Sequence, residues 1–184
     1  MEPRVSRLLA DKAVLVVVDV QERLLPAIHD GQSVLEAVCR LVRGASVLGV
    51  PVLWTEQNPD GLGPTVPALA ELLPGKPIPK RSFSCCGEEA FGRALAETGR
   101  RGVLLAGIEA HVCVYQTVVD LVEAGGEVHL VADAVGSRSP RDRRIAIWKM
   151  AGAGAAVTTV EIALFEMLRV AEGDAFKNIL GIVK

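Results

Sequence analysis

Three residues of this 184-residue chain have the types and placement for nucleophilic chemistry: Cys113, Asp19 and Lys80. Cys113 lies in residues 103–117, VLLAGIEAHVCVYQT, where an apolar run breaks at Gly107 and helix-compatible sequence resumes around Val112 or Cys113. That puts a thiol between a strand end and a helix start. N–H groups and the dipole at a helix N-terminus favour negative charge, so the position predicts a lowered thiol pKa and a thiolate nucleophile. Asp19 follows directly on the apolar run AVLVVV. A carboxylate at a buried strand end can take the thiol proton as general base, or it can simply cap the next turn. Lys80 would favour both the thiolate and the carboxylate. Alone, it would be one more solvated lysine, as Lys76 is expected to be, and Cys113 alone could be an inert small hydrophobe.

The elements that must position these residues alternate between strand and helix. Residues 13–18 form an apolar run of the kind buried on both faces of a parallel sheet. Ser33 and Glu36 have capping-box spacing ahead of an apolar helical face that runs to Leu48, with Gly49 as its stop. Residues 52–54 read as a second strand, 57–67 as a loop and 68–73 as a short helix. Residues 76–80 can be a third strand only at an edge, because of their prolines. A helix over 88–98, a strand over 103–106, a helix after Cys113 ending at Gly125 and a strand over 128–132 follow. Ser139 and Pro140 open a helix to about 151, and residues 155–157 form a sixth strand. Thr158 and Glu161 suggest a second capping box, opening a helix to about 170, and a last helix covers about 174–180. The alternation predicts an α/β fold, a three-layer α/β/α arrangement around a six-stranded parallel sheet. In the order 3-2-1-4-5-6, ligands bind beyond the carboxyl ends of strands 1 and 4. Asp19 and Cys113, 94 positions apart, would face each other there.

Other candidates fit structural roles better. His111 is two residues from Cys113, but that spacing points the side chains apart, which suggests a polar role at the helix start. His29, His111 and His129 lack ligand spacing, and the glycine-rich phosphate fingerprints are absent, so no metal and no cofactor is expected. His129 reads as a core residue, Cys39 as a helix-face hydrophobe, and Cys85 and Cys86 as pocket neighbours near Phe83. Arg138, Arg141, Arg143, Arg144 and Lys149 form a basic patch, read as a solvated helix face or a subunit contact. The net charge of −2 argues against a nucleic-acid partner, and no apolar run is long enough to span a membrane. The N-terminal segment reads as leading into a strand, not as an export signal. Four cysteines without C-x-x-C spacing then suggest free thiols in the cytoplasm. One domain over 1–184 is expected.

The segments VVVDVQ with Asp19, PKRSFSCC with Lys80 and GIEAHVCVYQT with Cys113 resemble the three signature segments of the isochorismatase-like cysteine hydrolases. The similarity continues through VADAVGSRS, TTVEIALFEML and FKNIL, and the TEQNPDGLGPTVPAL loop resembles the isochorismatase-domain-containing branch. The resemblance implies a Rossmann-like fold and an Asp-Lys-Cys triad: Asp19 as base, Lys80 as cationic partner, Cys113 as nucleophile. It also implies a cis peptide between Ile108 and Glu109, with the N–H groups of Glu109 and Cys113 as oxyanion hole. Nicotinamidases of the family bind a metal through an aspartate and histidines in the loop after the second strand, and this loop has no histidine. The implied activity is hydrolysis of a small-molecule amide or related C–N bond through an acyl-enzyme. A vinyl-ether hydrolase and a non-catalytic interaction protein are the alternatives. Gln21, Trp54, Phe83 and Tyr115 are the expected pocket walls, and the family implies a homo-oligomer acting on a small molecule.

Overall fold

A computed structural model describes residues 7–184; residues 1–6, on which part of the export-signal reading falls, lie outside the described residues. Six parallel strands make one sheet: β1 (Ala13–Val18), β2 (Val52–Gln57), β3 (Ile78–Lys80), β4 (Gly102–Ile108), β5 (Glu127–Gly136) and β6 (Ala156–Thr158), in the order β3-β2-β1-β4-β5-β6. The helices are α1 (Gly31–Val47), α2 (Pro59–Leu62), α3 (Pro67–Ala70), α4 (Glu89–Glu97), α5 (Tyr115–Glu123), α6 (Pro140–Ala153), α7 (Val160–Leu168) and α8 (Gly173–Val183).

Strand side chains alternate between two core layers, as a period of two requires. Leu15, Val17, Leu104, Ala106 and Ile108 pack with α1, α3, α7 and α8, while Val14, Val16, Val18, Val103 and Leu105 pack with α4, α5 and α6. All six β1 residues are buried. Each such aliphatic side chain contributes about 1.5–3 kcal/mol on burial. The central position of β1 and β4 therefore follows from their continuous apolar runs.

β2, β4 and β5 run longer than their apolar stretches suggest. β2 continues through Thr55, Glu56 and Gln57 because each polar side chain finds a partner at the strand's carboxyl end. Two caps differ from the spacing-based expectation. Ser33 lies inside α1, whose N-cap is Asp30 in a left-handed conformation, and the Ser33 hydroxyl donates to Asp30 Oδ1 at 2.8 Å. The cap of α7 is Thr159, which accepts from the Ile162 N–H, while Thr158 ends β6. The loop after β2 contains a helical turn, α2, and its neighbour α3 starts at Pro67.

Candidate active site

β1 and β4 pair from Ala13 opposite Gly102 to Val18 opposite Gly107, so the two chains leave the sheet side by side. Gly107 has φ of 119°, and a Cβ there would lie 2.1 Å from the Val18 carbonyl oxygen. Only glycine permits this approach. One residue beyond Val18, Asp19 turns with φ of 53°, a left-handed conformation that aspartate tolerates better than most residues. Its N–H donates to Thr55 O and its carbonyl accepts from Gln21 N–H.

Three chain segments converge on the buried Asp19 carboxylate. Oδ1 accepts from Thr55 Oγ1 at 2.8 Å, and Oδ2 lies 2.7 Å from Lys80 Nζ. The Cys113 thiol lies beside this pair, its Sγ 3.8 Å from the Gln57 Oε1 that also accepts from Lys80. Lys80 stands on the edge strand β3, in register with Gln57 and separated from β4 by two strands, β2 and β1. Its own length carries the ammonium across, only 2% of the residue being exposed. Nζ donates to Gln57 Oε1 at 2.6 Å, Phe83 O at 2.9 Å and Ser82 O at 3.2 Å, in addition to its pairing with Asp19. Four oxygens around a group with three N–H donors leave it no reason to lose its proton.

The electrostatics differ from those of an exposed helix N-terminus. Cys113 sits in a π-type turn, Ala110–Val114, that precedes α5, and the Glu109 carbonyl accepts from the N–H groups on either side of it, Val112 and Val114. Burial first, then the charge of Asp19, pushes the thiol up to about 12 against the pull of Lys80. The expected lowering by the helix dipole is thus reversed: desolvation of the thiolate outweighs a dipole effect that is worth about 2 kcal/mol at most. Burial also raises the Asp19 carboxyl above its ordinary value although Lys80 opposes it. Burial pulls Lys80 down, but the charge and hydrogen bond of Asp19 outweigh it and hold the ammonium above its usual range. At neutral pH the arrangement is a thiol beside a carboxylate–ammonium pair. Such a site can deprotonate sulfur at the moment of attack.

Of the four residues expected as pocket walls, Phe83 is 54% exposed beside the site and offers its carbonyl to Lys80. Gln21 is instead a backbone clamp: its Nε2 donates to Gln57 O and Gly63 O, and its Oε1 accepts from Gln57 N–H. Trp54 lies in the core layer under α1 and donates its indole N–H to Pro74 O. Tyr115 turns toward α6, with the Lys149 ammonium 4.3 Å from its ring centroid. Gln57 carries no signal in the sequence, yet its Oε1 also lies 3.8 Å from Cys113 Sγ; the clue was its register with Lys80, which a strand ended at Trp54 conceals. A cavity of about 260 Å³ bounded by Pro59, Asp60, Pro79, Lys80, Arg81 and Glu88 opens beside the pair.

The Ile108–Glu109 peptide is cis. The Glu109 carboxylate accepts from Arg138 Nε at 2.8 Å, and His111 hydrogen-bonds Ser137 Oγ through Nδ1 at 3.0 Å. Three members of the basic patch have local partners: Arg138 holds Glu109, Arg143 donates to the Val135 and Ala132 carbonyls, and Lys149 covers Tyr115. Among the described residues no group of three or more histidine, cysteine or acidic side chains is placed to hold a metal, and no helix is long and apolar enough to cross a membrane.

Residues 13–162 match the Isochorismatase domain. Isochorismatase domain-containing protein 1 of Salmo salar is 42% identical over 180 residues, which cover 97% of this chain and 63% of that protein. This chain thus spans less than two thirds of that relative. A solved structure described as the MAR1 ribonuclease from Caenorhabditis elegans superimposes with a TM-score of 0.90 at 38% identity, over 97% of this chain and 92% of its own. The YcaC gene product of Escherichia coli, described as an octameric hydrolase of unknown specificity, gives a TM-score of 0.90 at 28% identity, over 96% of this chain and 88% of its own. Matched over most of its length by the domain, and 42% identical to a protein named for that domain, the chain belongs to the isochorismatase family.

Proposed function

We propose that this protein is a cysteine hydrolase of a small-molecule amide or related C–N bond. The observation that carries the reading is the convergence of a thiol, a carboxylate and an ammonium in one buried site. Asp19 takes the Cys113 proton as sulfur bonds to the substrate carbonyl carbon. The oxygen charge that develops is received by the N–H groups of Glu109 and Cys113. The C–N bond then breaks, the amine leaves with the proton held by Asp19, and a thioester remains. Water, deprotonated by Asp19, hydrolyses it and releases the acid. Lys80 keeps Asp19 ionised and in place. With a thiol held up to about 12, nucleophile formation coupled to attack fits better than a standing thiolate.

A panel of small amides and imides, assayed with wild type and Cys113→Ala in parallel, tests this. At least one compound must be turned over by wild type alone. An enol ether hydrolysed by both proteins would favour vinyl-ether chemistry instead. The description of the Caenorhabditis elegans neighbour makes RNA a necessary further arm; Cys113-dependent RNA cleavage would replace the small-molecule reading.

The same reading takes residues 1–184 as one domain in the cytoplasm, where the four free cysteines would stay reduced. It also takes the chain as a homo-oligomer, supported by the octameric Escherichia coli neighbour and by exposed Trp148, Ile145, Val157 and Ile162. Light scattering that gives a monomer mass would remove this part.

A further inference from the structure

Behind Cys113 runs a buried set of hydrogen bonds that the chemistry above does not use. Thr117 is wholly buried. Its hydroxyl donates to the Cys113 carbonyl at 2.7 Å and accepts the Cys85 N–H at 2.9 Å. A hydroxyl has one hydrogen and two lone pairs, so both bonds form at once and their directions are fixed. The first is an ordinary threonine bond to the carbonyl four residues earlier. The second is not local, since its donor lies 32 residues away in the chain.

That donor has a particular position. Cys85 opens the short turn Cys85–Gly87, just after Ser82 and Phe83, whose carbonyls hold Lys80 Nζ. Its sulfur lies 3.9 Å from Thr55 Oγ1. The single hydrogen of Thr55 is committed to Asp19, which makes the Cys85 S–H the donor in this contact. Thr117 therefore joins the nucleophile's own peptide to the loop that grips Lys80, and that loop reaches Asp19 by a second route through Thr55.

We propose that Thr117 is a positioning residue that ties the turn bearing Cys113 to the loop holding Lys80, so that the thiol and the Asp19–Lys80 pair keep one fixed alignment. The proposal rests on the cysteine-hydrolase reading. A threonine that merely satisfied a buried amide would affect stability alone; a positioning residue affects how strongly Cys113 depends on Asp19.

The test measures the alkylation rate of Cys113 by iodoacetamide at neutral pH, read on its peptide by mass spectrometry, in full-length chains carrying Cys86→Ser to remove the exposed thiol. Wild type, Thr117→Ser and Thr117→Val are each compared with and without Asp19→Asn. The titratable groups facing Asp19 are Lys80, Cys113 and Cys85, Thr55 donates to it, and none is altered. Asp19→Asn removes the base that takes the Cys113 proton at attack and also the charge that raises the thiol. The base role requires alkylation to slow roughly tenfold or more where the hydroxyl is kept, in wild type and in Thr117→Ser, and by no more than about twofold with Thr117→Val, whereas faster alkylation in wild type removes the hydrolase reading and this proposal with it. Coupling of that size is usual within one hydrogen-bond network. An equal Asp19 effect in all three overturns the proposal while leaving the hydrolase reading intact. No Asp19 effect in wild type removes the hydrolase reading and this proposal with it. Should Thr117→Val fail to fold, amide exchange in the Cys86→Ser protein decides: alkylating Cys113 must change protection at residues 82–87, and unchanged protection overturns the link.

Discussion

Lys80→Met removes the only cation that, among the described residues, pairs with the wholly buried Asp19 carboxylate, and nearly preserves side-chain length. The ion pair is 2.7 Å long and both side chains are 0% exposed, so water cannot replace the lost partner. Removing one member of a buried pair costs about 3–5 kcal/mol. For a chain of this size that corresponds to a fall of roughly 6–20 °C in melting temperature. The loss should depend on pH in a defined direction. Burial already raises Asp19 above its ordinary 3.8, and without the opposing pull of Lys80 it rises further. The folded variant then holds a proton that the unfolded chain has released. Its stability falls as pH rises through the folded value and recovers as pH drops toward 3.8. The wild-type ammonium, held above 10.5, keeps its own contribution through this range and loses it only at alkaline pH. Urea melts of both proteins between acidic and neutral pH should show the gap closing toward acid. Adding Asp19→Asn to Lys80→Met should restore much of the stability at neutral pH, because asparagine tolerates the left-handed backbone and carries no charge. A loss below about 1 kcal/mol, or one independent of pH, would refute the account of a dry, mutually dependent pair.

Other parts of the structure give three further expected outcomes. With its thiol held up to about 12, Cys113 should show no alkylation inflection near the ordinary cysteine value of about 8.5; a full thiolate titration there would contradict the burial argument. Gly107→Ala puts a Cβ 2.1 Å from the Val18 oxygen at a positive φ and should cost about 3 kcal/mol or more by denaturant unfolding. Thr159→Ala should cost about 1 kcal/mol, and Ser33→Ala about half of that or less, because only Thr159 caps a helix; equal losses would reject the cap assignment.

The central place of β1 and β4 was legible because both are apolar on both faces, while the full strand order came from the precedent of doubly wound folds. The proximity of Asp19 to Cys113 followed from that order alone. Lys80 was harder to place, since an edge strand so far from β4 predicts a loop that folds back over the site. Instead a long side chain crosses the gap, and Ser82 and Phe83 close around its end. Polar residues at strand ends were the main blind spot. Thr55 and Gln57 look like loop residues in a hydropathy pattern, yet they are strand residues whose partners come from distant segments. The direction of the Cys113 shift was also illegible, because a dipole is a local property and desolvation is set by the whole fold. The caps missed narrowly at α7, where two threonines stand side by side. At α1 the miss was larger: Asp30 adopts a conformation that no capping pattern announces.

The clamp formed by Gln21 has a bearing on how this site can diversify. One amide side chain holds the Gln57 backbone at both its N–H and C=O and the Gly63 carbonyl besides, while Glu56 ties down Thr65. Together they measure the span between the end of β2 and the return of the loop. Adding or deleting a residue between 57 and 63 would leave a buried glutamine with unmatched donors and acceptors. New specificity at this rim is therefore open to exchange of side chains at residues 58–62 and closed to change of loop length.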